Sequence, residues 1–388
     1  MVQSHKILVY IFMILMLISG TANTLTAKAM DIVHSEGSKF EHPYFQTATM
    51  FMGEVWCLVI YYIMQWINRK KTKESENIPI LWTKDPPQKA GLYKKMGPFI
   101  FIIPAFFDLL GSTFIFIGLV LSAASVYQMI RGFIIVIVAI YSMIFLKRRL
   151  FRHETTGVIM ITLGIAITGL ASVLYKASTA QDPVLGIIIL IVGEALSGGM
   201  YVSEELFLKN VKVDPLHAVG IEGLFGFSLY LIILPILYAI PCDDSKMCHD
   251  GKVEDFVKAF EQIGASWELM LLWWGTMISI ASFNFTGIST TKHASSLARS
   301  TISAARTFLV WIFSIIVEWE EFLWLQLIGF ILLVFGTLLY NEVIIFPWFG
   351  FKESVQKHKL QLEESNNKVD TITTEDIENF RDIKYDSD

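Results

Sequence analysis

Charge is what this chain has least of. Asp, Glu, Lys and Arg supply 17% of its 388 residues, whereas a soluble domain carries about a quarter. With 54% hydrophobic residues and a mean hydropathy of +0.53, that scarcity excludes an ordinary water-soluble fold. Segments of about ten residues that alternate apolar and polar, the mark of an outer-membrane barrel, are also missing. The sequence has no basic patch to suit nucleic acid and no motif for a nucleophile, a metal or nucleotide phosphates. Neither an enzyme, a cofactor nor a metal site is therefore expected. The net charge of −5 says little, because the acidic stretch 360–388 supplies much of it.

Cysteine is scarce too. Of the three, Cys57 lies in an apolar run and reads as a small packing residue. Cys242 and Cys248 share one polar loop and read as a disulfide if that loop faces an oxidising lumen. Held beside His249 they could instead bind a metal, but a fourth ligand is lacking.

What the chain has in abundance is apolar runs of about 18 residues or more, each long enough to cross ~30 Å of hydrocarbon. The fold class expected is an all-α polytopic membrane protein. Ten transmembrane helices can be drawn near 7–25, 45–67, 98–120, 123–146, 155–175, 184–207, 218–240, 267–290, 294–317 and 322–343. The first run also resembles a cleaved signal peptide. A retained helix is expected, since its removal would leave nine spans and break the repeat described next.

Lysine and arginine set the orientation. The loop 68–96 carries Arg69, Lys70, Lys71, Lys73, Lys84, Lys89, Lys94 and Lys95, and the next loop on that side has Lys147, Arg148, Arg149 and Arg152. The opposite side is poorer in them, which puts both termini in the cytosol. The loop 241–266 then faces the lumen, with Val253, Phe256, Val257, Phe260 and Ile263 at the spacing of a short amphipathic helix. His34, His42 and His249 fall on that side, either as surface histidines or as sensors of an acidic lumen. The charged residues beyond Phe351 read as a disordered cytosolic tail. Glu76-Asn-Ile-Pro-Ile80-Leu81 resembles an acidic dileucine sorting signal.

Two stretches repeat. Ala123-Ala124-Ser125 leads to Arg131 and then to Gly157 and Gly164; Ala294-Ser295-Ser296 leads to Arg299, Arg306, Gly329 and Gly336. The distance from triplet to glycine pair is 34 residues in one case and 35 in the other. Residues 1–178 and 183–343 thus read as two five-helix copies, with 344–388 as the tail. Five is odd, so the copies cross the membrane in opposite senses, a 5+5 inverted repeat of the kind that alternating-access transporters use.

The stretches Ser19–Lys28, Met50-Phe-Met-Gly-Glu54, Gln128-Met-Ile-Arg131-Gly132, Glu222-Gly-Leu-Phe-Gly-Phe227 and Phe283-Asn284-Phe-Thr-Gly-Ile-Ser289 carry a family resemblance. The chain resembles the drug/metabolite transporter superfamily, and within it the F-branch of solute carrier family 35, over roughly residues 5–345. The chloroquine-resistance transporter is a more distant relative. The resemblance implies transport of a small-molecule substrate and favours a lysosomal or endosomal membrane, with mitochondrial or Golgi membranes as other locations. Nucleotide-sugar carriers place a lysine near Arg306, but the Gly-Ala-Leu-Asn-Lys motif of the GDP-mannose carriers is absent here.

An ionisable group in a bilayer costs several kcal/mol unless it faces protein or water, so each is a functional candidate. Glu54, Asp108 and Glu194 are candidates for proton coupling. Arg131, Arg299 and Arg306 stand against them, three of each sign, which could also merely pair and fix helix packing. Ser296, Arg299, Ser303 and Arg306 fall on one helical stripe, as do Glu194, Ser197, Tyr201 and Glu205, and Gln128 with Arg131. Asn23 and Asn284 would add amide hydrogen bonds to a shared polar vestibule. The substrate-binding set expected is Asn23, Gln128, Arg131, Ser197, Tyr201, Asn284, Arg299, Ser303 and Arg306. Paired guanidinium groups favour an anionic or zwitterionic metabolite. The competing function is a non-transporting scaffold or receptor; partners are lipid and the solute, with none readable for the tail.

Overall fold

The computed structural model describes residues 2–40, 42–72, 97–121, 130–175, 183–210, 213–242, 251–318, 322–344, 350–356 and 360. The described residues are helical almost throughout. Helix α1 covers Val2–Ile32, α2 Pro43–Thr72, α3 Ile102–Leu121 after a 3-10 turn at Gly97–Phe101, α4 Ile134–Phe145 and α5 Arg152–Tyr175. Then follow α6 at Pro183–Asn210, α7 at Pro215–Ala239, the short α8 at Phe256–Ala265, α9 at Trp267–His293, α10 at Ser296–Ile316 and α11 at Trp324–Tyr340. Among the described residues, five helical stretches are long and apolar enough to cross a membrane: Ile7–Ile32, Pro43–Ile67, Val184–Asn210, Pro215–Ala239 and Trp267–His293. Shorter apolar helices occupy Phe99–Ile115, Ile130–Phe145 and Trp324–Tyr340. This is the architecture of an all-α multi-pass membrane protein.

Helix starts follow local chemistry. Asp214, Ser266 and Ser295 each accept a hydrogen bond from the first turn of α7, α9 and α10, from Leu216 N at 2.9 Å, Leu269 N at 3.4 Å and Ala298 N at 3.0 Å. Asp255 does the same for α8 through Lys258 N at 3.1 Å. The helices overrun the apolar stretches drawn from sequence. Helix α1 continues to Ile32 rather than ending near residue 25, because its polar last turns find partners. Thr24 and Thr26 donate back to the carbonyls of Gly20 and Ala22, Lys28 reaches Ser314, and Asp31 accepts from Gln46 Nε2 at 2.6 Å.

Outward faces are apolar. On α6 Leu185, Ile188, Ile191 and Val192 are exposed while Leu190, Gly193 and Glu194 are buried. The polar stripe therefore points inward, the reverse of a soluble helix.

The bundle is built from close helix pairs: α1 with α9, α2 with α7, α3 with α6, α5 with α11, and α4 with α10 and α6. Glycine sets the α5–α11 distance. A Cβ on Gly164 would lie 2.5 Å from the Gly329 carbonyl oxygen, and one on Gly157 would lie 2.9 Å from that of Gly336. Only a residue without a Cβ lets these backbones approach so closely. The two glycine pairs singled out by spacing thus face each other.

At one end of the bundle, strands His34–Ser35 and Ser38–Lys39 pair antiparallel around a Glu36-Gly37 turn in which both residues have positive φ. The hairpin packs on α8 through Gln262, whose amide donates to Ser35 O and to Ser38 Oγ at 3.2 and 2.9 Å. His42 is buried here at 2% exposure. That corrects its reading as a surface histidine: its Nδ1 lies 2.7 Å from Glu254 Oε1 and its Nε2 3.2 Å from Gln262 Oε1. His34 is exposed, and His249 lies outside the described residues. Cys242 is disulfide-bonded and Cys57 is free; Cys248, the partner expected for Cys242, lies outside the described residues. At the other end, residues 351–356 form a helical turn whose Ser354 Oγ meets His153 Nδ1 at 3.0 Å.

Gly164→Val should lower the unfolding free energy by ~1–3 kcal/mol through overpacking. Gly264→Ala in α8, where a new Cβ meets nothing within 4 Å, should be neutral or slightly stabilising. Thermal unfolding of the purified protein distinguishes the two, and equal effects would refute the close α5–α11 contact.

Candidate functional site: two buried charged centres

Arg299 is the largest fully buried side chain among the described residues, at 1% exposure. It sits in the first turn of α10, directly after a two-residue break from α9. Its guanidinium forms an ion pair with Glu204 of α6 and stacks 4.1 Å over the Tyr201 ring. On the other side it rests on Gly287, where a Cβ would come 2.7 Å from Nε. Three helices thus hold one cation.

Four carboxyl groups stand around it. Glu204 is the direct partner; Glu54 of α2, Asp108 of α3 and Glu222 of α7 are its other charged neighbours. Glu54 Oε1 accepts from Asn284 Nδ2 of α9, and Asp108 accepts from Ser112 Oγ at 3.1 Å. Glu54, Glu204 and Glu222 are 2%, 0% and 8% exposed. The first centre is therefore acid-rich.

The second centre has the opposite bias. Glu194 of α6, at 2% exposure, has Arg131 and Arg306 as its charged neighbours. Arg131 lies in the helical residues just before α4. Arg306 lies 4.7 Å over the Phe283 ring and packs its stem on Gly20 of α1, where a Cβ would come 3.2 Å from its Cδ. Arg299 and Arg306 are seven residues apart, so the centres are separated by about 10 Å along α10 at 1.5 Å per residue. On α9, Asn284 and Gly287 touch the first centre and Phe283 the second.

The sequence-derived residues divide as follows. Glu54, Asp108, Tyr201, Asn284 and Arg299 meet in the first centre; Glu194, Arg131 and Arg306 meet in the second. Ser197 packs where α6 crosses Gly111 of α3, 2.9 Å from a Cβ placed there. Asn23 and Ser303 are buried in α1 and α10. Gln128 lies outside the described residues. Glu205, placed on the same stripe as Glu194, instead binds the start of α10, accepting from Ser296 N at 2.6 Å and pairing with Lys209.

Glu204 and Glu222 complete the acid-rich centre, and neither belongs to the set of six ionisable candidates. The two centres therefore hold five carboxylates against three arginines, rather than three against three. Both glutamates lie near the ends of apolar runs, where a charge reads as a solvated helix end. A signal was present for Glu222, which stands between Gly220, Gly223 and Gly226. Those glycines press α7 onto Leu58, Glu54 and Phe51, a face too close-packed for lipid.

A helical multi-pass bundle that keeps charge inside and apolar side chains outside is the architecture of an integral membrane protein. The UAA transporter family matches residues 110–344, and this chain belongs to that family. It is 34% identical over 336 residues to solute carrier family 35 member F6 of Homo sapiens and of Pongo abelii, covering 84% of this chain and 87% of each relative. An uncharacterised protein of Schizosaccharomyces pombe is 30% identical over 337 residues, covering 86% of this chain and 98% of its own. One solved crystal structure superposes with a TM-score of 0.55 at 13% identity, over 86% of this chain and 96% of that one; it speaks for the fold alone.

Removing one member of the buried pair leaves an uncompensated charge, so Glu204→Ala should destabilise by ~3–5 kcal/mol. The double change Glu204→Leu with Arg299→Met should recover most of that loss. Additive losses in thermal unfolding would mean that the two side chains are not coupled.

Proposed function

We propose that this chain is a secondary transporter, active or facilitative, that moves a small organic solute bearing an anionic group, alone or as part of a zwitterion. In this reading two inverted five-helix copies rock about the seam between α9 and α10. The observation that carries it is the charged seam itself. Guanidinium groups inside a bilayer are costly unless a solute or carboxylate uses them, and the half-buried Arg306 and Arg131 both act electrostatically on the buried Glu194.

The helix pairing agrees with a two-fold relation: exchanging the copies turns the α1–α9 pair into α6–α3 and maps α2–α7, α4–α10 and α5–α11 onto themselves. Membership of a transporter family and kinship to a solute carrier point the same way. The anionic end of the solute is assigned to Arg131 and Arg306, and proton coupling to Glu54, Asp108 and Glu194. The lysine and arginine bias of the loops puts both termini in the cytosol and Cys242 in an oxidising lumen, consistent with its disulfide. The dileucine-like Glu76–Leu81 favours a lysosomal or endosomal membrane.

A second reading, a non-transporting scaffold or receptor, draws on the Arg299–Glu204 ion pair, which closes part of the seam without any ligand.

Reconstituted vesicles offered a panel of labelled metabolites separate the two. The transporter reading expects saturable uptake that Arg306→Ala and Glu194→Ala each reduce by roughly tenfold or more in protein that still folds. Absence of uptake together with misfolding of both variants would favour the scaffold.

A further inference from the structure

Glu222 contributes to no ion pair or hydrogen bond that would explain a carboxylate there. Its Oε1 is buried and has no hydrogen-bond partner, and the same holds for Oε1 of Glu204, whose other oxygen takes Arg299. The two groups act on each other electrostatically, as Glu54, Arg299 and Asp108 act on Glu222, and the chain beside Glu222 packs on Glu54, because a Cβ on Gly223 would lie 2.4 Å from Glu54 Cβ. The orphaned oxygens therefore belong to one site at the meeting of α6, α7 and α2. Unpaired buried acceptors cost ~1–3 kcal/mol each, more when charged, so two side by side need an occupant with donors.

Charge narrows the occupant. Four carboxyls around one guanidinium repel an anion, and a neutral hydroxyl would supply donors without balancing the charge. A protonated primary amine supplies three N–H donors and a positive charge in one small group. The position suits it as well. Glycines 220 and 223 hold α7 close against Leu58 and Glu54 of α2, which keeps a further carboxyl group beside the pair.

We propose that Glu204 and Glu222 seat the ammonium group of a small organic amine. The arginine-rich centre about 10 Å away along α10 then takes an anionic group at the far end of an amphoteric solute. The inference rests on the transporter reading for the movement of that solute, whereas binding of the amine stands without it.

The test uses purified full-length protein in lipid nanodiscs and tritiated 1,4-diaminobutane, followed by scintillation proximity and thermal unfolding. Saturable binding is expected, weakened about tenfold or more by Glu222→Gln and unchanged by Ser282→Ala on the exposed face of α9. Should Glu222→Gln fail to fold, Glu222→Asp decides, because it keeps the charge but withdraws it. A several-fold loss of affinity at an unchanged unfolding temperature supports the seat, and unchanged affinity overturns it. No saturable binding by the unmodified protein, or equal binding by Glu222→Gln, also overturns the proposal. A response of Glu222 to pH alone, without amine binding, assigns the pair to protons and overturns it equally. Failure of the transporter reading looks different: the amine binds, but vesicles do not fill.

Discussion

An unpaired charge cannot stay in hydrocarbon at bearable cost, and the arrangement of this bundle follows from that. In the two centres, five carboxylates and three arginines lie on five helices, α2, α3, α6, α7 and α10, and on the turn before α4. Each must face another or face water, so the helices turn these stripes inward and leave isoleucine, leucine and phenylalanine outside. Packing follows. The stripes rest on small residues, as Arg299 does on Gly287 and Glu54 on Gly223, because only small residues let a charged side chain and a second backbone share one contact. Among the described residues the largest fully buried side chain is thus an arginine, in a core otherwise built largely of apolar side chains.

Polarity also determines how far helices run. Helix α1 continues to Ile32 because Lys28 and Asp31 find Ser314 and Gln46, and α9 continues to His293 because Lys292 donates to the Val213 carbonyl at 2.9 Å. The α9–α10 junction needs only Ala294 and Ser295, and Ser295 caps the new helix. That sharp junction places Arg299 one turn inside the bundle. Seven residues on, Arg306 falls on nearly the same face beside a different carboxylate, so the two arginines serve separate centres.

Much of this was legible in the sequence. The apolar runs gave the helices, and the rarity of charge inside them picked out Glu54, Asp108, Glu194, Arg131, Arg299 and Arg306, all of which fall in the two centres. Spacing identified Gly157, Gly164, Gly329 and Gly336, which turn out to meet across α5 and α11. What spacing could not reveal was partnership between helices far apart in sequence. The pairing of Arg299 with Glu204 joins residues 95 apart, and no local pattern encodes it. Glu204 and Glu222 were hidden by their position near helix ends, where a bury-or-expose decision depends on tertiary neighbours. His42 was hidden for the same reason, because its partners Glu254 and Gln262 lie more than 200 residues away.

If the two copies rock as proposed, the seam along α10 opens to water from the two sides of the membrane in turn. Ser303, buried at 9% exposure between Arg299 and Arg306, reports on it directly. In a background with Cys57→Ser, Ser303→Cys would be exposed to a membrane-impermeant thiol reagent applied from each side of sealed, oriented vesicles. The account predicts labelling from both sides, each slowed when substrate or a closed conformation holds the seam shut. Labelling from neither side, in folded protein, would contradict it and leave the charged centres as permanent internal struts.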